Sequence, residues 1–162
     1  MTVQYLREQK HLGTVQEIRI SPKFMTVITE YGAAHNRWIY LNRSTHIDKD
    51  AFDPAVNGDS IGHWEGDTLV VETNGFNDST WFDRSGNYHS GALKVTERFK
   101  PIDDTHLSYS ATIDDPEVFT RPWTISMPLY RDIDPKAEVL EFKCVPFTEQ
   151  LLYGDLYKQP KK

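Results

Sequence analysis

Glu97 is the residue whose neighbours best equip it for acid–base chemistry. It continues the stripe Leu93, Val95, Glu97, Phe99, while Lys94, Thr96 and Arg98 take the alternate positions. Residues two apart on a strand share a face, so a carboxylate in an apolar stripe is turned inward. Poor solvation disfavours the charged form of a carboxyl group, and that is how a general acid or base is poised near neutral pH. The same spacing recurs as Ile28 and Glu30, Val70 and Glu72, and Val139 and Glu141. Strand faces also exchange at bulges and strand ends. That outward reading is preferred for Glu30 and Glu141, the inward one for Glu97, and Arg98 is expected at the surface or rim.

A base needs a proton-transfer partner and something to orient it. His89 precedes the Glu97 strand and is expected within hydrogen-bond reach of it, directly or through one water. His63, just before the Glu65-Gly66-Asp67 turn, is expected at the same mouth of the fold, with Asp83 or Glu72 as the orienting carboxylate. For any single histidine a hydrogen-bonded structural role is the default. The six histidines show no i, i+2 or i, i+4 pair, so no strong metal motif exists. A metal-dependent enzyme with His46, His63, His89 and Glu97 as dispersed ligands is the less favoured alternative; the preferred reading needs neither metal nor organic cofactor.

The connection over residues 75–90 is too long for a mere turn and mixes rings with hydrogen-bonding groups, as a lid or ligand-contacting loop requires. Asn77, Asp78, Trp81 and Tyr88 are its expected ligand contacts. Trp64, Trp81, Tyr109 and Trp123 are expected to line a cavity, and Arg37 to anchor an oxyanion or carboxylate. Aromatic residues make up 12% of the chain, which suits either a ring-lined pocket or a core filled by large side chains.

The elements that must carry these residues are strands. Alternating β-branched and aromatic residues mark Val15–Ile20, Phe24–Tyr31 and Arg37–Leu41, then a central hairpin about Gly66, then 92–99, Leu107–Ile113, Trp123–Tyr130 and Val139–Cys144. Residues 1–13 read as an arm, 43–58 as a loop, and Phe147–Tyr157 as one short helix. Eight or nine short strands with little helix predict a single all-β domain over residues 1–162. A closed antiparallel barrel is preferred to a sandwich because closure removes the exposed edges.

At 162 residues the chain can bury a core without staples. A net charge of -6 argues against nucleic-acid and anionic-membrane surfaces. No apolar run approaches the ~18 residues of a membrane span. The single Cys144 reads as an inert buried thiol. The start of the chain lacks the build of a secretory signal and reads as cytoplasmic, or as periplasmic or secreted if a leader has been removed. A homo-oligomer is compatible with the sequence.

Gly62-x-Trp64-Glu65-Gly66-Asp67-Thr68-Leu69-Val70-Val71-Glu72-Thr73, His89-Ser90-x-x-Leu93-x-Val95-x-Glu97-Arg98-Phe99 and Asp115-Pro116-x-x-Phe119-Thr120-x-Pro122-Trp123 resemble a large group of bacterial proteins usually labelled hypothetical. The resemblance covers roughly residues 24–145. Its members commonly carry an export leader, and the group brings no activity to carry over. The Trp-Glu-Gly-Asp-Thr-Leu hairpin is also loosely similar to calycin and lipocalin-type barrels. Together these readings imply a hydrophobic or aromatic small molecule inside a barrel. The preferred function is a cofactor-free lyase, isomerase or cyclase; the alternative is a lipocalin-like binding protein.

Overall fold

The structure, a computed structural model, describes residues 2–7, 16–29, 36–48, 50–82, 85–134, 136, 139 and 154. Nine strands follow one another: β1 (Thr2–Arg7), β2 (Gln16–Ile20), β3 (Phe24–Thr29), β4 (Arg37–Tyr40), β5 (Asp59–Glu65), β6 (Thr68–Asn74), β7 (Lys94–Pro101), β8 (His106–Asp114) and β9 (Trp123–Arg131). Strands β2 to β9 form a mixed sheet curled into a half-barrel, with no α-helix among the described residues. Strand β1 spans the gap between the two edges. It pairs with β2 from Thr2↔Ile20 to Leu6↔Gln16 and with β9 through Leu6↔Arg131 and Arg7↔Tyr130. The arm expected at the N-terminus is therefore in part a strand, recruited because an uncovered sheet edge leaves backbone groups unpaired. The strand expected at 139–144 and the helix at 147–157 fall almost wholly outside the described residues, as do Glu30, Glu141 and Cys144.

Every neighbouring pair is antiparallel except β4 and β5, which run parallel through Ile39↔Ser60 and Tyr40↔Ile61. The fully antiparallel expectation fails here because the 41–58 loop is long enough to carry the chain back to the starting end, as a parallel neighbour requires. Asp59 pins that loop. Its carboxylate accepts from Arg43 Nη2 at 2.5 Å, His46 Nδ1 at 3.0 Å and the Ile47 amide at 3.1 Å. Burial pushes the Asp59 carboxyl up, but these hydrogen bonds outweigh it and hold the group below its ordinary range.

The β5–β6 hairpin closes as read from the sequence. Glu65 pairs with Thr68, and Gly66 takes the left-handed φ of 62°. Gly58 has the same handedness at φ 60°, but there a Cβ would stand 2.4 Å from the Asn74 carbonyl, whereas one on Gly66 would meet nothing within 4 Å. Gly58→Ala is accordingly expected to destabilise by roughly 3 kcal/mol, strain plus overlap, and Gly66→Ala by only about 1 kcal/mol. Thermal denaturation of the two variants checks the difference.

Cross-strand partners share a face, so the register defines the concave side. One apolar cluster joins Ile18, Met25, Ile39, Leu69, Val71 and Leu129. A second gathers Leu93, Ala111 and Ile113, with Phe76, Phe82, Val95, Phe119 and Trp123 packed against it. Tyr109 touches both.

Candidate functional site

Glu97 lies on the concave face, paired across the strands with Val71 and Ala111, and is only 5% exposed. The inward orientation follows from its stripe. Its charge is met from β4: Arg37 Nη2 donates to Glu97 Oε2 at 2.5 Å, and the Tyr109 hydroxyl donates to Oε1 at 2.9 Å. The same Arg37 Nη2 donates to Thr73 Oγ1 at 2.6 Å, Arg37 Nε donates to Ser60 Oγ at 3.0 Å, and the two hydroxyls are 2.9 Å apart. Five side chains from β4, β5, β6, β7 and β8 thus form one network, arising between the two apolar clusters.

Ser60 and Thr73 escaped the sequence reading. Their signal was available: Thr73 ends the stripe Leu69, Val71, Thr73, and Ser60 stands opposite it. A hydroxyl that replaces an apolar residue in a buried stripe asks for a partner. Arg37, expected to hold a ligand anion, instead holds Glu97 through Nη2. Its Nη1 has no protein partner among the described residues, and its side chain remains 22% exposed.

His89 does not pair directly with Glu97. It is buried, with Nδ1 3.2 Å from the Ser90 carbonyl and Nε2 3.1 Å from Thr80 Oγ1. A carbonyl only accepts, so Nδ1 donates, and in the neutral ring Nε2 accepts from Thr80. The direct contact does not form because Thr80 and the Ser90 carbonyl take both ring nitrogens, bonds that sequence proximity to β7 did not announce.

His63 and Glu72 are corrected more simply. His63 pairs with Val70, and Glu72 neighbours Val71, so both lie on the face opposite Glu97, and both are exposed. His63 Nε2 lies 3.3 Å from Glu65 Oε1, and Glu65 also accepts from Arg98, which is exposed as expected. Val70 is buried although Glu72 is not, which shows that a shared face does not mean shared burial.

Of the expected lining residues, Tyr109 and Trp123 face the interior. Trp64 has concave-side register at the turn end of its hairpin and is 53% exposed; Trp81 is 71% exposed and Tyr88 51%. Asn77 is half-buried and accepts from the Ser79 amide, Asp78 is exposed, and Asp83 lies outside the described residues. From the 75–90 loop, Phe76 and Phe82 pack against the second apolar cluster. Among the described residues no group of three or more histidine, cysteine or acidic side chains could hold a metal ion: His46, His63, His89 and Glu97 each bond elsewhere.

No protein-family model, curated protein or solved structure matches the chain.

The loop that carries His89 is fixed by Asp115, the least expected buried group. Its Oδ2 accepts from the Ser90 amide at 2.7 Å, and its Oδ1 from Ser90 Oγ at 2.8 Å and the Glu117 amide at 3.2 Å. Burial raises the Asp115 carboxyl, yet the two Ser90 bonds and the Glu117 amide outweigh it and hold the group below the ordinary carboxylate range. The latch joins the entry to β7 to the exit from β8, so it holds the 75–90 connection over the end of the sheet where Trp123 lies.

Proposed function

We propose that the concave face binds a hydrophobic or aromatic small molecule, and that the protein is a cofactor-free acid–base enzyme of lyase, isomerase or cyclase type with Glu97 as its base or acid. The observation that carries this reading is the buried Arg37–Glu97–Tyr109 network between two apolar clusters. Well-packed apolar side chains of similar volume are often as stabilising as a buried ion pair or more so, so stability alone does not account for the network. A carboxylate offers about four lone-pair sites. Arg37 and Tyr109 occupy one on each oxygen, which leaves capacity to accept a proton from a molecule lying against the face. Tyr109 takes over from His89 as the neighbouring proton carrier, and Arg37 Nη1 supplies a donor for a ligand oxygen. Strand β1, spanning the sheet's edges, supports the finer reading of a closed lipocalin-like barrel.

The probe for base strength is 5-nitrobenzisoxazole, a neutral aromatic molecule. A base takes its C3 proton, the C–H electrons complete a nitrile, and the N–O bond breaks to release a phenolate. Wild-type protein is expected to accelerate this elimination about 10²-fold over Glu97→Gln. Equal rates would remove Glu97 as a base. The second reading, a lipocalin-like binding protein, is favoured by the fact that both Glu97 oxygens already have protein partners. It predicts saturable binding without rate enhancement.

A further inference from the structure

Trp123 sits on the concave face opposite Ile113, one strand step from the pair Ala111↔Ile125 that continues the Glu97 layer. Phe82 and Phe119 approach its ring edge-on, with centroids 5.5 and 5.6 Å away. Its indole Nε1 is buried and has no hydrogen-bond partner among the described residues. A buried N–H left unsatisfied costs more than a typical hydrogen bond contributes, so such a donor calls for an acceptor that the described residues do not provide. Phe76, Phe82, Val95 and Phe119 pack with it against Leu93 and Ile113, and no described side chain accepts from Nε1. Arg37 and Glu97, elsewhere on the concave face, are paired with each other.

We infer that the ligand of this face is an uncharged, ring-bearing molecule with a carbonyl oxygen, and that the oxygen accepts from Trp123 Nε1. This rests on the small-molecule reading of the concave face and narrows it to a chemical class. Neutrality follows because the unmatched donor in this cluster is an uncharged indole, and the charge of Arg37 is already matched by Glu97. The oxygen follows because only an acceptor removes the penalty at Nε1, and the rings follow from the aromatic walls that flank it.

Benzophenone and diphenylmethane share two rings and a one-carbon bridge and differ only in carbonyl against methylene. Isothermal titration should show benzophenone binding wild-type protein about tenfold more tightly, the value of one hydrogen bond to a buried donor. In Trp123→Phe the ratio of the two affinities should fall to about one, whatever the smaller ring does to both. In the ¹⁵N–¹H spectrum, the indole resonance that Trp123→Phe deletes should move downfield with benzophenone and not with diphenylmethane. Equal affinities in wild type, or an unmoved resonance, overturn the inference while leaving a binding face. Failure of both molecules to bind overturns the small-molecule reading itself. A tenfold preference that survives in Trp123→Phe places the acceptor contact elsewhere and overturns the assignment to Nε1.

Discussion

Arg37→Met is expected to cost about 3–5 kcal/mol of stability, the usual penalty for stranding one member of a buried ion pair. Glu97 would keep the Tyr109 hydroxyl but lose its countercharge, at a position where its side chain is 7% exposed and cannot turn to water. Thr73 and Ser60 would lose their shared donor at the same time. The paired replacement, Arg37→Met with Glu97→Leu, is expected to recover most of that loss, because two apolar side chains fill the space without a charge to desolvate. Chemical denaturation of the two single variants and the double variant gives the coupling directly. A cost below about 1 kcal/mol for Arg37→Met would mean that solvent already screens the pair. Recovery of stability in the double variant together with loss of the elimination rate is the outcome that separates a functional network from a structural one.

The second large effect is expected at Asp115. Asp115→Ala removes three acceptor contacts and leaves the buried Ser90 amide without a partner; a cost of about 3 kcal/mol is expected, within the range for a broken buried network. The pH dependence has a definite sign. The folded carboxyl lies below its ordinary value of 3.8, so its contribution is fully present above that value and is lost as pH falls through the lower folded value. Asp59, lowered from the same 3.8, adds to the same acid limb. Denaturation across the range from neutrality to strongly acid solution should therefore show stability falling below about pH 4, and less steeply in Asp115→Asn than in wild type. An unchanged acid limb in that variant would show that the latch carries no linked proton. Because Ser90 follows His89, loosening the latch should also release the 75–90 loop from the Trp123 end of the sheet.

What the sequence made legible was local. The Glu97 stripe reads correctly because a two-residue period is a property of one strand, and the Gly66 turn reads correctly because a left-handed residue at a tight reversal has few alternatives. The partners of Glu97 were not legible as partners. Arg37 reaches it across 60 residues of chain, and no pattern within either strand declares that contact. Arg37 was marked as a binder of anions, and the anion it holds is the protein's own. The face assignments of Glu72 and His63 failed for a related reason. Val70 and Val71 are adjacent and both buried, so β6 has no single apolar face from which to deduce the direction of its neighbours. His89 was linked to Glu97 by closeness in sequence, whereas Thr80, at a similar separation on the other side, and the adjacent Ser90 carbonyl take both of its ring nitrogens. The parallel pairing of β4 with β5 depended on where a polar loop delivers the chain, which composition does not encode.

The central claim, that a small molecule lies against Glu97 and Tyr109 on the concave face, is tested most directly by locating a bound neutral aromatic probe. With 1-aminoanthracene at saturation, intermolecular nuclear Overhauser contacts are expected to the Ala111 methyl group, which is 3% exposed and faces Glu97 across the strands, and to the Tyr109 ring. Contacts confined to the exposed side chains of Trp64, Trp81 or Ile133, with none to Ala111 or Tyr109, would contradict it.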